Sequence, residues 1–226
     1  VEVSNQLKAS TMNRRDFIKT IPLMTVAPLL LTEVTESPKT NKRHLITLGS
    51  AAALIVSRYG AELSVDSVTL INDRIPEGNE SVVDLIPFFP AESVFEYLGD
   101  QRFLKREKLP QLELPEKIKN HLASKSGELV FLAGLGKASG TMLFRAIAQQ
   151  YMNSLQQLRF VATLPFAFEG SHVVANANQA VEHLSDQSLE ASLFPLESIR
   201  KTYGNLGIRS AFKKGDEWVV GALNLK

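Results

Sequence analysis

The chain contains no cysteine. Disulfides, thiolate metal sites and a cysteine nucleophile are excluded, while the compartment stays open, because a cysteine-free chain suits reducing and oxidising surroundings alike. An excess of one charge is missing too: 25 Lys and Arg face 24 Asp and Glu, for a net charge of +1. That balance gives no electrostatic case for nucleic acid or for an acidic lipid surface. The histidines at 44, 121, 172 and 183 have no i, i+4 or H-x-x-H spacing with a carboxylate partner, which argues against a metal site. No G-x-S-x-G occurs, and Ser139 between Ala138 and Gly140 is too generic to stand in for a hydrolase serine. Glu182 and Asp186, at i, i+4 spacing, read as a solvated helix face. Internal repeats and low-complexity tracts are absent, as is an apolar run of the ~20 residues a membrane-spanning helix needs.

What is present suits one medium α/β domain with appendages: 226 residues, 44% of them hydrophobic. Residues 1–31 form an N-terminal segment, 32–43 a polar linker with Pro38, and 44–226 the domain. Within the first segment, Met12-Asn-Arg-Arg-Asp-Phe-Ile-Lys19 resembles a twin-arginine export signal, with Met12 a candidate start. The apolar stretch Ile21–Leu31 has the length of a signal h-region, ~7–15 residues, although no A-x-A cleavage site follows. The expectation is recognition by the twin-arginine machinery and export. A cytoplasmic N-terminal arm is the alternative.

The stretch from Glu128 to Ala148 organises the rest. Leu129–Ala133 is a short continuous apolar run, as in a strand buried on both faces. Glycines follow at 134, 136 and 140, and then Leu143, Ile147 and Tyr151 recur at helical spacing. A strand entering a glycine-rich turn that opens a helix gathers backbone N–H groups at the positive end of a helix dipole, which suits phosphate. An ordinary tight strand-to-helix turn would read the same way. It is not a Walker A loop, because Phe131 and Ala138 occupy positions that need glycine and a hydroxyl. Nor is it G-x-G-x-x-G, because Ser139 stands at the third glycine.

Ala133-Gly-Leu-Gly-Lys-Ala-Ser-Gly-Thr-Met142 resembles the phosphate loop of the tubulin/FtsZ superfamily, A-G-M-G-G-G-T-G-T-G. Phe160-Val-Ala-Thr-Leu-Pro-Phe-Ala-Phe-Glu-Gly170 is similar to that family's strand ending in P-F-x-F-E-G, in the family's order and at about its spacing. The resemblance covers roughly residues 43 to 226. It implies a mainly parallel, Rossmann-like α/β sheet with helices on both faces, and GTP or GDP with Mg²⁺ as its ligand. Gly49, Ser50, Gly134, Gly136, Lys137, Ser139, Gly140, Thr141, Glu169 and Asp216 are the candidate nucleotide-contacting residues. Asp216 falls where the family has a base-contacting asparagine; a surface aspartate at a helix start is the other reading. The partner implied is a second copy or another FtsZ-like subunit, because the family hydrolyses GTP between subunits. In the family, the neighbour's acidic loop N-x-D-x-x-D and the smaller second domain follow the long central helix, whose start Ser210–Leu223 resembles.

Several positions depart from the pattern. Gly49-Ser-Ala-Ala-Ala53 keeps one glycine where the family has a G-V-G-G-G-G run, and Lys137, Ala138 and Met142 replace glycines in the central loop. Methyl groups there would block close backbone approach and exclude positive φ. Lys137 reads as a phosphate-neutralising charge or as an exposed side chain. Val173 stands where an arginine would pair with Glu169, and Leu196 where an asparagine is expected. Between Ile75 and Leu114 the resemblance lapses, and Phe88, Phe89, Phe95 and Tyr97 suggest a helix tucked over the sheet. Pro115–Ser124 reads as an amphipathic helix with Ile118 and Leu122 inward and Glu116, Lys117 and Lys119 in water. The expectation is a degenerate FtsZ-like protein, a pseudoenzyme with weak or no GTP binding and no GTP hydrolysis of its own that acts by associating with other subunits; a functional GTP/GDP-binding FtsZ-like protein of cell division or cytoskeletal assembly is the alternative.

Overall fold

Six strands, all parallel, form the sheet at the centre of this computed structural model. It describes residues 42–72, 84–88, 111–151, 157–185, 189–204 and 206–225. In chain order the strands are β1 (Arg43–Leu48), β2 (Ser67–Asn72), β3 (Asp84–Pro87), β4 (Glu128–Gly134), β5 (Leu158–Leu164) and β6 (Glu190–Pro195). In the sheet they lie β3-β2-β1-β4-β5-β6, the order of doubly wound nucleotide-binding folds. The helices are α1 (Gly49–Tyr59), α2 (Glu116–Ala123), α3 (Ala138–Tyr151), α4 (Ser171–Ser185), α5 (Glu197–Tyr203) and α6 (Ile208–Asn224).

Alternation along each strand sends side chains to two separate cores. Leu45, Val130, Leu132 and Val161 pack with Ala52, Val56, Val219 and Leu223, so α1 and α6 cover one face. Ile46, Phe131, Ala133 and Phe160 pack with Ile118, Leu143, Phe144 and Ala180, so α2, α3 and α4 cover the other. Phe160 anchors the second core: it stacks on Phe131 at 5.1 Å and meets Phe144 edge-on at 5.2 Å. Continuous apolar runs on the central strands follow from burial on both faces.

Two arginines tie the end of α6 beneath the sheet. Arg159 donates to the carbonyls of Leu225 (2.9 Å) and Ala222 (3.0 Å), and Arg43 donates to Leu223 (3.0 Å). They supply partners for carbonyls that a helix end leaves without intrahelical donors, and they place cations at its negative pole.

One expectation needs correction, and another touches the described residues only at its first position. Asp84–Pro87 is an edge strand, and Phe88, the first residue of the expected helix, is buried in the core directly after it. Four residues are too few to show a period, and Pro87 is tolerated only because the strand is at an edge. Phe89, Phe95 and Tyr97 lie outside the described residues, as does the segment from Met12 to Leu31. Lys119 is half-buried rather than free in water, and its ammonium lies 2.8 Å from Glu116.

Candidate functional site

The carboxyl ends of β1 and β4 lie side by side at the point where the strand order reverses, the usual ligand crevice of such sheets. Two turns meet there. After Leu48, Gly49 takes φ +80 and starts α1. After β4, Gly136 takes φ +113 ahead of α3. Both angles favour glycine.

The turns press on each other. A Cβ on Gly49 would sit 2.9 Å from the Gly140 nitrogen, and one on Gly140 would sit 2.8 Å from the Leu48 carbonyl oxygen. A Cβ on Gly134 would come within 2.7 Å of the Ala51 methyl. Gly136 is hemmed in by Val173, whose Cγ1 lies 2.5 Å from the position a Cβ would take. These glycines therefore serve close packing between loops as well as backbone freedom.

Beside this contact opens a cavity of about 290 Å³, at the lower edge of small-molecule sites. Leu48, Gly49, Ser50 and Ala51 line it from the first turn, and Gly134, Leu135, Lys137, Ala138, Ser139 and Gly140 from the second. Thr163, Pro165, Glu169, Leu196 and Phe212 complete it. Lys137 and Glu169 are the titratable groups among these lining residues. The first backbone N–H groups of α3 have no intrahelical acceptor, so an anion-compatible pole is present.

Seven of the ten candidate residues line this cavity: Gly49, Ser50, Gly134, Lys137, Ser139, Gly140 and Glu169. Three do not. Gly136 donates its N–H to the Thr141 hydroxyl at 2.7 Å, and Thr141 is fully buried, so both belong to the loop's internal bonding. Asp216 lies mid-helix in α6, 8% exposed, rather than on the surface at a helix start. Its carboxylate accepts from Arg58 of α1 at 3.0 Å. Burial pushes this carboxyl above its usual range, and the Arg58 guanidinium offsets only part of that shift.

The remaining candidates are partly engaged. Glu169 accepts the Phe166 N–H at 3.0 Å, closing the short 3₁₀ turn Ala167–Glu169. Ser50 donates to the buried Asn72 at the end of β2, at 3.2 Å. Phe212 at the cavity wall is not among the residues the sequence singles out; its signal is the i, i+4 spacing to Asp216 on one helix. Among the described residues no group of three or more His, Asp or Glu could hold a metal ion.

A nucleotide's phosphates fit these residues in part. Lys137, Ser139 and the start of α3 suit an anion, while the Gly136 N–H is taken by Thr141 and the Ala51 methyl caps Gly134.

No protein-family model matches this chain. FtsZ 1 of Thermococcus kodakarensis is 30% identical over 102 residues, 45% of this chain and 27% of that protein. The structure of an empty FtsZ dimer from M. jannaschii superposes with a TM-score of 0.58 at 19% identity, covering 82% of this chain and 54% of that one. CetZ2 of Haloferax volcanii, as a GTPγS-bound protofilament, gives 0.59 at 14% identity, covering 81% and 57%. The chain thus spans little more than half the length of these solved relatives. Its fold is that of the FtsZ/tubulin nucleotide-binding domain.

Proposed function

We propose that this chain, built on the FtsZ/tubulin nucleotide-binding fold, works by associating with a second copy or another FtsZ-like subunit and does not turn over GTP. The observation that carries this reading is the Ala51 methyl set against Gly134, where a Cβ would be only 2.7 Å away. Main chain that a triphosphate tail would approach is covered by carbon. Two further features support it. The Gly136 N–H is turned onto Thr141, and Glu169, the one carboxylate among the described residues lining the cavity, accepts the Phe166 N–H. Association is supported by the assemblies of relatives, a dimer for FtsZ and a protofilament for CetZ2.

Calorimetry and thermal shift with GTP, GDP and Mg²⁺ test the reading. The expected result is no heat and no shift. A ligand at 100 times its dissociation constant would add about 2.7 kcal/mol. For a domain of this size that is roughly 5–10 °C; such a shift alone would favour a nucleotide binder, and phosphate release from GTP at any protein concentration would overturn the proposal.

A second reading, a weak GTP/GDP binder, is favoured by Lys137 and Ser139 facing the cavity beside the start of α3. In that case Gly140, Ser139 and Lys137 would hold the phosphates, with Mg²⁺ accompanying the nucleotide. The nucleotide itself supplies the hydrolysable anhydride, while this chain's residues only bind and orient it.

Export by the twin-arginine route belongs to the same proposal, resting on Arg14-Arg15 and the apolar stretch after them. Fractionation of the tagged protein should show the parent outside the cytoplasm and Arg14→Lys/Arg15→Lys retained. Cytoplasmic residence of both would reject it.

A further inference from the structure

The overall charge of +1 conceals a segregated patch. Residues 198 to 215 contain Arg200, Lys201, Arg209, Lys213 and Lys214 and no Asp or Glu. All five cations are exposed. Arg200 and Lys214 pair with Glu197 and Glu217 one turn away, whereas Lys201, Arg209 and Lys213 have no ion pair among the described residues. The same turn between α5 and α6 exposes large apolar side chains: Tyr203 at 54%, Leu206 at 38%, Ile208 at 62% and Phe212 at 37%. Phe212 also meets the buried Phe166 edge-on at 5.3 Å, where Leu196, Ile199 and Ala211 pack, so Tyr203, Leu206 and Ile208 are the side chains given over to solvent. Gly204 and Gly207 border open space: positions for a Cβ on either meet nothing within 4 Å.

We propose that the α5–α6 turn docks on an anionic lipid surface, with Leu206, Ile208 and Tyr203 entering the headgroup layer and Lys201, Arg209 and Lys213 meeting lipid phosphates. Cations flanking protruding apolar and aromatic side chains are the chemistry that an acidic membrane interface rewards. An acidic peptide would answer the cations and leave the apolar side chains in water, whereas an acidic bilayer takes up both. Of the exposed patch residues, Phe212 alone also lines the cavity. Contact at this turn would bring the cavity wall at Phe212 close to the bilayer.

Co-sedimentation of the full chain with vesicles tests it, comparing mixed phosphatidylglycerol and phosphatidylcholine with phosphatidylcholine alone. Binding is expected on the acidic vesicles only, weakening with added salt. Lys201→Gln/Arg209→Gln/Lys213→Gln should lower affinity about fivefold per cation, on the order of 100-fold in all. Leu206→Ser/Ile208→Ser should weaken binding with the salt dependence kept, and Lys117→Gln, an exposed cation on α2, should change nothing. Because every variant keeps the apolar stretch Ile21–Leu31, the differences report on the patch. The proposal is overturned if the triple variant sediments with acidic vesicles as the parent does, or if the parent shows no preference for them. It is also overturned if the three cations are needed for polyglutamate or duplex DNA and not for vesicles.

Discussion

The Gly136 N–H points at the Thr141 hydroxyl, 2.7 Å away, and so closes the central loop onto the first turn of its own helix. A phosphate loop directs such groups outward; here one is directed in. Thr141→Val would keep the shape and remove the acceptor, leaving a buried N–H without a partner at a cost of about 1–3 kcal/mol. Thr141→Ser should retain most of that stability. Urea unfolding of the two variants separates the hydrogen bond from the packing.

Restoring bare backbone should restore ligand access. Ala51→Gly/Ala138→Gly is expected to give a thermal shift with GDP where the parent gives none. The same double change should lower stability by about 1 kcal/mol per site, because glycine is the poorer helix residue. Thermal scans with and without GDP show both effects at once. A double variant that stays indifferent to GDP would mean that the methyl groups are not what limits the cavity.

Asp216 makes stability depend on pH with a defined sign. Burial raises its folded carboxyl above the ordinary aspartate value of 3.8, so the folded state favours the protonated form. The stabilisation is therefore present below that value and is lost as pH rises through the higher folded pKa. Asp216→Asn stays neutral throughout. Its melting temperature relative to the parent should rise as pH climbs from the ordinary aspartate value of 3.8 through the raised folded pKa, and then level off. A constant difference across that window would show that Arg58 fully compensates the burial.

Arg159 is 6% exposed and serves carbonyls of both Ala222 and Leu225. Arg159→Met leaves these without their charged donor and should cost about 2–4 kcal/mol. Arg159→Lys keeps the charge and loses the fork, so about half of that loss is expected. Denaturant midpoints check the order: parent, lysine, methionine.

Much of the scaffold is legible in the residues themselves. The run Leu129–Ala133 is continuous and apolar because β4 is covered on both sides, and it extends one residue further at each end. Glycines at 49 and 136 stand out because their backbone angles exclude most side chains. β3 does not, since four residues ending in proline carry no period. The role of Asp216 is hidden for a different reason: Arg58 lies 158 residues away, and no local pattern encodes that pairing. The motif makes Thr141 face a ligand because it names a residue type and leaves the rotamer open. The basic turn vanishes when charge is summed over the whole chain, which erases where it sits.

Gly49 and Gly140 have a consequence for how the chain tolerates change. Gly140 occupies the space a first carbon on Gly49 would need, and the Leu48 carbonyl occupies the space a first carbon on Gly140 would need. A saturation library should find both columns nearly blank, and pairing two replacements should not rescue either, because crowding one backbone leaves no room to retreat from the other. Change at this junction has to come through the neighbours, Ala51 and Ala138 among them.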